Sequence, residues 1–331
     1  MYFADGCGYR ETVCTLVLES LGVEVDGLFI DVGVTKTNQT ADRDEKRNIF
    51  ANPDDWTKCC FVSLGAWLAT IEYNESLPET FNHIFPGSSV ASTFQDIERA
   101  ILQSEEVQLL MSKYGLQPED IGLHSTRKGA ATFISSASPV CHYVALMLRA
   151  GWSLNVQDAY LKLSQGGDCL VGRQLAGLPT DRPDFCTMPP RFKPDADKEL
   201  IDDCINQTFA AILQHNPLCL TLRPVLRVLL PSMLYARTHL RDDHQTIRTK
   251  HASLPLFDEK YDALVQQVWV PRWSDLHKLS AGEQVRARNT GGGCGGEVIG
   301  LRFMVCGAVA AVVLVLAGVL VLVVVLWCSS C

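Results

Sequence analysis

The sequence is short of basic residues. Its 331 residues include 29 Lys and Arg against 37 Asp and Glu, which gives a net charge of −8. Proteins bind nucleic acid non-specifically through basic side chains that displace phosphate counterions, so this net charge argues against a DNA partner. The first ten residues also lack the basic flank and apolar run of a secretion signal, and nothing else in the sequence indicates export.

The 13 cysteines show no pairing pattern. Their number is odd, and they are scattered through apolar surroundings. We therefore predict reduced core thiols in a cytosolic or nuclear context. Cys328 and Cys331 form a CxxC, but no second pair stands at zinc-finger spacing. The sequence accordingly predicts neither a metal site nor a cofactor.

One long stretch contains neither charge nor proline. Residues 303–327 read FMVCGAVAAVVLVLAGVLVLVVVLW, which exceeds the ~20 residues needed to cross a bilayer. We predict a transmembrane helix here, in contact with lipid, joined to the chain by a Gly-rich linker over 281–302. Two origins stay open. The run is a genuine tail anchor with its flanking arginines on the cytoplasmic side, or it is unrelated coding sequence joined near residue 280.

The remainder predicts an α+β fold that is mostly helical, with a small β-hairpin or sheet. Apolar spacing predicts a helix over 9–21 and a strand over 27–34, which pairs with NIFANP through a long polar loop that carries Lys36. Helical spacing returns at several places along the chain. These predicted helices cover 59–73, 93–114, 123–135, 140–150 ending at Gly151, a segment capped by Ser153 that contains Tyr160, 199–240 and 258–270. A proline-containing linker is predicted over 181–195.

His124 and Arg127 lie three residues apart on a predicted helix. Their side chains therefore project from one face and can meet a single phosphate, for which the planar guanidinium fork is well suited. An HxxR pair alone is typical of a solvated helix face. Trp152 and Tyr160, each taken alone, are typical of core or boundary positions.

The combination of segments is more specific than its members. In order, the sequence contains KTNQ, FANP, HSTRKGAATFIS, RAGWSLNVQDAY and VGRQLAGLP. These segments resemble the catalytic domain of tyrosine recombinases, particularly the crypton-like, transposon-derived type, over about residues 10–180. The resemblance implies a recombinase catalytic domain over 1–180 that lacks the family's N-terminal DNA-clamp domain, followed by a helical extension over 181–280.

The resemblance also implies roles for individual residues. Tyr160 corresponds to the nucleophile, and His124, Arg127 and Trp152 correspond to residues that surround the phosphodiester. Lys36 corresponds to the lysine that protonates the departing 5′ oxygen, and Arg10 is the candidate for the family's first arginine. The implied reaction cuts and rejoins double-stranded DNA through a 3′-phosphotyrosine, with no metal or cofactor, in a tetramer acting on two duplexes.

The positive charge needed for DNA is concentrated in one stretch. Residues 123–173 hold five basic residues (Arg127, Lys128, Arg149, Lys162, Arg173) against two acidic ones (Asp158, Asp168). Two functions stay open: an active recombinase, which would act in the nucleus, or a degenerate DNA-binding or membrane-anchored interaction module without catalysis. A plain membrane protein with a soluble helical domain would leave the spacing of these segments as coincidence.

Overall fold

The computed structural model describes residues 15–32, 46–121, 125–137, 143–152, 165–178, 187–237 and 254–271. These residues form an α+β fold that is mostly helical. It contains a three-stranded sheet of order β1-β2-β3 and a two-stranded ribbon, β4-β5. The strands are β1 (Leu21–Val23), β2 (Leu28–Asp31), β3 (Lys46–Ile49), β4 (Arg191–Phe192) and β5 (Val268–Trp269).

The predicted β-hairpin is confirmed as the antiparallel pair β2 and β3. Leu28 pairs with Ile49, and Phe29 pairs with Asn48. Leu28 and Ile30 are buried while the residues between and after them are half-buried, which is the alternation of a strand packed on one face. The connecting residues 33–45, with Lys36 among them, lie outside the described residues.

The predicted helix over 9–21 is wrong where the structure describes it, from residue 15 onward. Val17 forms an isolated bridge to His83, Leu18–Ser20 is a single 3-10 turn, and β1 follows directly. The amide of Leu18 donates to the carbonyl of Asn82 at 2.8 Å. Tertiary backbone pairing has therefore overridden the helical apolar spacing, as short segments permit.

Ten helices are described. They are α1 (Cys60–Thr70), α2 (Val90–Leu102), α3 (Glu105–Ser112), α4 (Ser125–Ala137), α5 (Tyr143–Arg149), α6 (Gln165–Leu175), α7 (Lys198–Thr208), α8 (Ala210–His215), α9 (Leu222–Tyr235) and α10 (Lys260–Val265). Most coincide with predicted helical segments. The predicted segment 93–114 is divided in two because Ser104 takes an extended backbone and precedes two glutamates in the first turn of α3, a favourable start for a helix.

The main core includes residues from both sides of position 180. Helix α9 packs against α1 so closely that a Cβ at Gly65 would lie 2.5 Å from the sulfur of Met233. Buried side chains of α7 and α10 join the same cluster as those of the three-stranded sheet. A smaller cluster lies between α4, α5 and α6, where Ile134, Leu146 and Val171 are buried. The helical extension therefore packs on the same core as the sheet.

Two segments of the extension contain strands where the sequence indicated a linker and a helix. Residues 191–192, inside the predicted linker, form β4, and residues 268–269, inside the predicted last helix, form β5. Helix α10 has already ended at this point, and the amide of Lys193 donates to the carbonyl of Gln267 at 2.8 Å. Both predictions are wrong at these positions. The two strands form backbone hydrogen bonds with each other across a long sequence separation, which local patterns do not reveal.

The predicted fold class is also wrong in its last part, which placed a transmembrane helix at the C-terminus. Within the described ranges, no helix is long and apolar enough to cross a membrane. The fold that the structure supports is α+β and mostly helical, with a small sheet. Residues 281–302 and 303–327 lie outside the described ranges.

His215 joins α8 to the loops that follow α1. Its ring stacks on Tyr73 at a centroid distance of 4.3 Å and meets the edge of Phe81 at 4.8 Å. Its Nδ1 lies 2.8 Å from the carbonyl oxygen of Ala211, and its Nε2 lies 3.0 Å from Oε1 of Glu75. Both partners are acceptors, so only the protonated ring can donate to both. The Ala211 carbonyl and Glu75 accordingly raise the pKa of His215.

We expect this contact to give a pH-dependent stability. Since the folded pKa lies above the ordinary value of 6.5, the stabilisation is fully present below 6.5 and is lost as pH rises through the raised pKa. His215→Phe keeps the stacked ring but removes both hydrogen bonds. Urea unfolding from pH 5.5 to 8.5 should show the largest difference from wild type at low pH, and Glu75→Gln should show part of it. A difference that does not vary with pH would contradict this assignment.

Candidate active site

The end of α5 forms a tight turn at Trp152. The amide of Gly151 donates to the carbonyl of Leu148 at 3.1 Å, and the amide of Trp152 donates to the carbonyl of Met147 at 2.9 Å. Gly151 has a φ of 62°. This is a Schellman motif, in which glycine takes a left-handed backbone conformation that other residues adopt only at a cost. The predicted end of this helix at Gly151 is confirmed.

Arg127 reaches this turn from α4. Its Nη2 donates to the carbonyl oxygen of Ala150 at 2.5 Å, and its guanidinium carbon lies 5.5 Å from the centre of the Trp152 ring. That distance is within the ~6 Å range of a cation–π contact. Carbonyls at a helix C-terminus also carry partial negative charge, which favours a cation there. The structure thus brings Arg127 and Trp152 together.

The other four predicted site residues lie outside the described residues. They are Arg10, Lys36, His124 and Tyr160. Their distances from Arg127 and Trp152 therefore stay predictions. The predicted third helix, which Ser153 begins and which contains Tyr160, also lies outside the described residues.

Directly before the Trp152 turn, Arg149 forms a buried network with Asp168 of α6 and Asn48 of β3. The guanidinium and the carboxylate form an ion pair in which each side chain is only 1% exposed. Nη2 of Arg149 donates to the carbonyl of Asn48 at 3.0 Å. Oδ2 of Asp168 accepts from the backbone amide of Asn48 at 2.6 Å and from its Nδ2 at 2.8 Å. Strand β3 is thereby tied to two helices at one residue.

The FANP segment is tied to the other end of α6. The Nδ2 of Asn52 donates to the carbonyl of Ala176 at 2.8 Å, and Phe50 packs against Cys169, Ala176 and Leu178. Gly172 allows this contact, because a Cβ there would lie 2.6 Å from the carbonyl oxygen of Asn48. Parts of three segments that carry the recombinase resemblance, FANP, RAGW and VGRQLAGLP, are therefore packed together.

This packing removes part of the positive charge of residues 123–173 from the surface. Arg149 is neutralised by Asp168, and Arg173 is paired with Asp26 while its guanidinium lies 4.3 Å from the centre of the Phe50 ring. Both arginines are buried. Of the five basic residues counted there, Arg127 is half-buried and Lys128 is exposed, and Lys162 lies outside the described residues. Less positive charge faces solvent than the sequence suggests.

The described cysteines support the prediction of core thiols. Four of the five described cysteines, Cys59, Cys60, Cys169 and Cys204, are buried, Cys219 is half-buried, and none of the five forms a disulfide. Burial raises the pKa of Cys59 to about 11 and that of Cys169 to about 12. Because the thiolate is the reactive species, these two thiols are poor nucleophiles at neutral pH.

Sequence reasoning missed the roles of Asn48, Asp168, Arg149 and Gly172. The sequence offered one signal in Arg149, which ends the otherwise apolar helix YVALMLR, because a charge that becomes buried needs a partner. Its partner is 19 residues away and Asn48 is 101 residues away. Pattern reading has no means of selecting such partners.

We compared the chain with known protein families, with curated proteins and with solved structures. None of these comparisons gave a match.

Proposed function

We propose that this chain is a tyrosine recombinase that cuts and rejoins double-stranded DNA through Tyr160. The observation that carries the proposal is the contact between Arg127 and Trp152. These two residues are 25 positions apart, and the recombinase resemblance assigns both to one phosphate. Their contact is what a shared site requires, and the position of Trp152 is fixed by the Schellman motif.

In the proposed reaction, the Tyr160 phenol oxygen attacks a backbone phosphorus and the bond from phosphorus to the 5′ oxygen breaks. His124 takes the phenol proton, because a phenol of pKa ~10 is a weak nucleophile until deprotonated. Lys36 gives a proton to the leaving 5′ oxygen. The 3′-phosphotyrosine then undergoes the reverse reaction with another 5′ hydroxyl, so no external energy source is needed.

Arg127 and Trp152 act on the charge that develops during this transfer. Negative charge accumulates on the non-bridging oxygens, and fixed donors at those oxygens lower the barrier. Arg127 supplies a permanent positive charge. The indole Nε1–H of Trp152 supplies one neutral donor. Contact with the indole ring restricts the guanidinium and reduces the entropy lost when phosphate binds.

The proposed activity can be tested with a pool of nicked duplexes that contain a randomised central region. Attack beside the nick releases a short fragment, which prevents rejoining and traps the covalent protein–DNA adduct. We expect wild type to form an adduct that resists SDS and Tyr160→Phe to form none. Arg127→Ala should slow adduct formation by about 10²–10³-fold, as loss of a transition-state donor does.

Arg223→Ala is the matched control, because Arg223 is an arginine on an exposed face of α9 whose Nη2 donates to Asn206. It should form adduct at the wild-type rate. Absence of adduct with folded wild type would overturn the proposal. Binding of the pool without adduct would favour the alternative of a DNA-binding module without catalysis.

A further inference from the structure

We infer that Arg149, Asp168 and Asn48 are positioning residues for the Arg127 and Trp152 side of the proposed phosphate site. This inference rests on the proposed function for its catalytic meaning. Its structural content, that the buried network sets the orientation of Trp152, is independent of catalysis. Arg149 is followed directly by Ala150, whose carbonyl accepts from Arg127, so the network reaches the Arg127 contact through the backbone.

The network supplies hydrogen-bond partners to the backbone of the edge strand β3 at Asn48. Among the described strands, whose order is β1-β2-β3, strand β3 has a neighbour on one side only. The amide and the carbonyl of Asn48 point away from β2, and they meet Oδ2 of Asp168 and Nη2 of Arg149. A carboxylate and a guanidinium thus supply the acceptor and the donor that another strand would supply, which satisfies backbone groups that would otherwise be costly to bury.

This arrangement fixes α5 and α6 against one residue of the sheet. Arg149 is the last residue of α5, and Asp168 lies in the first turn of α6. The planar fork of the guanidinium makes two directional contacts, with Asp168 and with the Asn48 carbonyl. Rotation or sliding of α5 would break both contacts at once. A buried ion pair is weak evidence for stability, but it can specify one arrangement among several packed ones.

The network is continuous with the Arg127 contact through a single peptide. Ala150 follows Arg149 directly, and its carbonyl accepts from Arg127. Consecutive Cα atoms are held ~3.8 Å apart, so a shift of Arg149 moves this carbonyl and the Trp152 turn with it. The second buried pair, Arg173 with Asp26, ties α6 to the turn between β1 and β2 instead. It is a matched control of equal type and comparable burial.

The test uses the full chain labelled with 5-fluorotryptophan, with the Trp152 resonance assigned by Trp152→Phe. We expect Asp168→Asn and Arg149→Lys to shift or broaden the ¹⁹F resonance of Trp152 while the Trp67 resonance, from the main core, stays in place. Asp26→Asn and Arg173→Lys should leave the Trp152 resonance unchanged. Asn48→Ala, which removes only the Nδ2 contact, is a milder variant should the others unfold, and it should shift the same resonance less.

An unmoved Trp152 resonance in folded Asp168→Asn or Asn48→Ala would overturn the inference, as would an equal shift in Asp26→Asn. In the adduct assay, we expect Asp168→Asn to slow covalent capture at least 10-fold while the Kd for the nicked pool changes less than threefold. If wild type forms no adduct, the proposed function fails and the ¹⁹F result still decides the positioning role. Equal loss of capture in Asp26→Asn would reduce the network to a general stabilising role.

Discussion

Replacing Asp168 by alanine is expected to lower the free energy of unfolding by about 3–5 kcal/mol, the range for breaking a buried ion pair by removing one partner. Arg149 and Asp168 are each 1% exposed, so the remaining guanidinium would stay charged without its counterion. The backbone amide of Asn48 would also lose the acceptor that it now meets at 2.6 Å. A buried donor without an acceptor is costly by itself.

Urea unfolding followed by far-UV circular dichroism measures this loss, with an unchanged m-value indicating that the same surface unfolds. Asp202→Ala is the control. Its carboxylate pairs with Arg227 at 2.5 Å, but the two side chains are 42% and 46% exposed. Exposed pairs contribute only about 0–1 kcal/mol. If Asp168→Ala lowered the free energy of unfolding as little as Asp202→Ala does, water would have access to the Arg149 ion pair in solution, contrary to the structure.

Gly172→Ala is expected to destabilise the protein by about 1–3 kcal/mol, the usual cost of overpacking. The added Cβ would lie 2.6 Å from the backbone carbonyl of Asn48 and 2.9 Å from the Phe50 ring. A strand carbonyl held by Arg149 cannot retreat as a flexible side chain can. Helix α6 would therefore have to move away from β3, and the gain in helix propensity of about 1 kcal/mol would only partly offset this.

Gly166→Ala is the matched control on the same helix. No atom of the described residues lies within 4 Å of a Cβ built at Gly166, so alanine there should be neutral or stabilise by up to about 1 kcal/mol. Thermal unfolding of the two variants side by side measures the contrast. Equal stabilisation by both would mean that α6 does not approach β3 as closely as the structure places it.

Both large effects bear on the proposed recombinase chemistry. Asp168 and Gly172 contact Asn48 from the same helix, and Asn48 receives Arg149, the residue next to the Arg127 contact. Removing the Asp168 contact or overpacking at Gly172 should therefore loosen the Trp152 turn as well as the fold. For this reason, activity of these variants has to be expressed per mole of folded protein.

Much of the local structure could be predicted from the sequence. The hairpin of β2 and β3, the helix near residues 60–70 and the end of α5 at Gly151 each follow from short-range patterns. The errors in strand and helix assignment at residues 15–21, 191–192 and 268–269 share one cause. At these positions the backbone pairs with a distant segment, and a local pattern carries no information about such a partner.

The candidate site, too, could be predicted from the sequence only in part. The resemblance of their segments to a recombinase implied one site for Arg127 and Trp152, and the two side chains lie in contact. The sequence also indicated where positive charge is concentrated. It could not indicate that Arg149 and Arg173 are removed from the surface by Asp168 and Asp26.

The sequence by itself determined the α+β character, the helical periodicity, the glycine that ends α5 and the order of the segments that resemble a recombinase. These depend on interactions between residues a few positions apart. Only the tertiary structure decided that Arg127 lies against Trp152 while Arg149 and Arg173 are buried in ion pairs. An arginine has the same local propensity in either role, and its role is set by whether folding brings a carboxylate to it from another part of the chain.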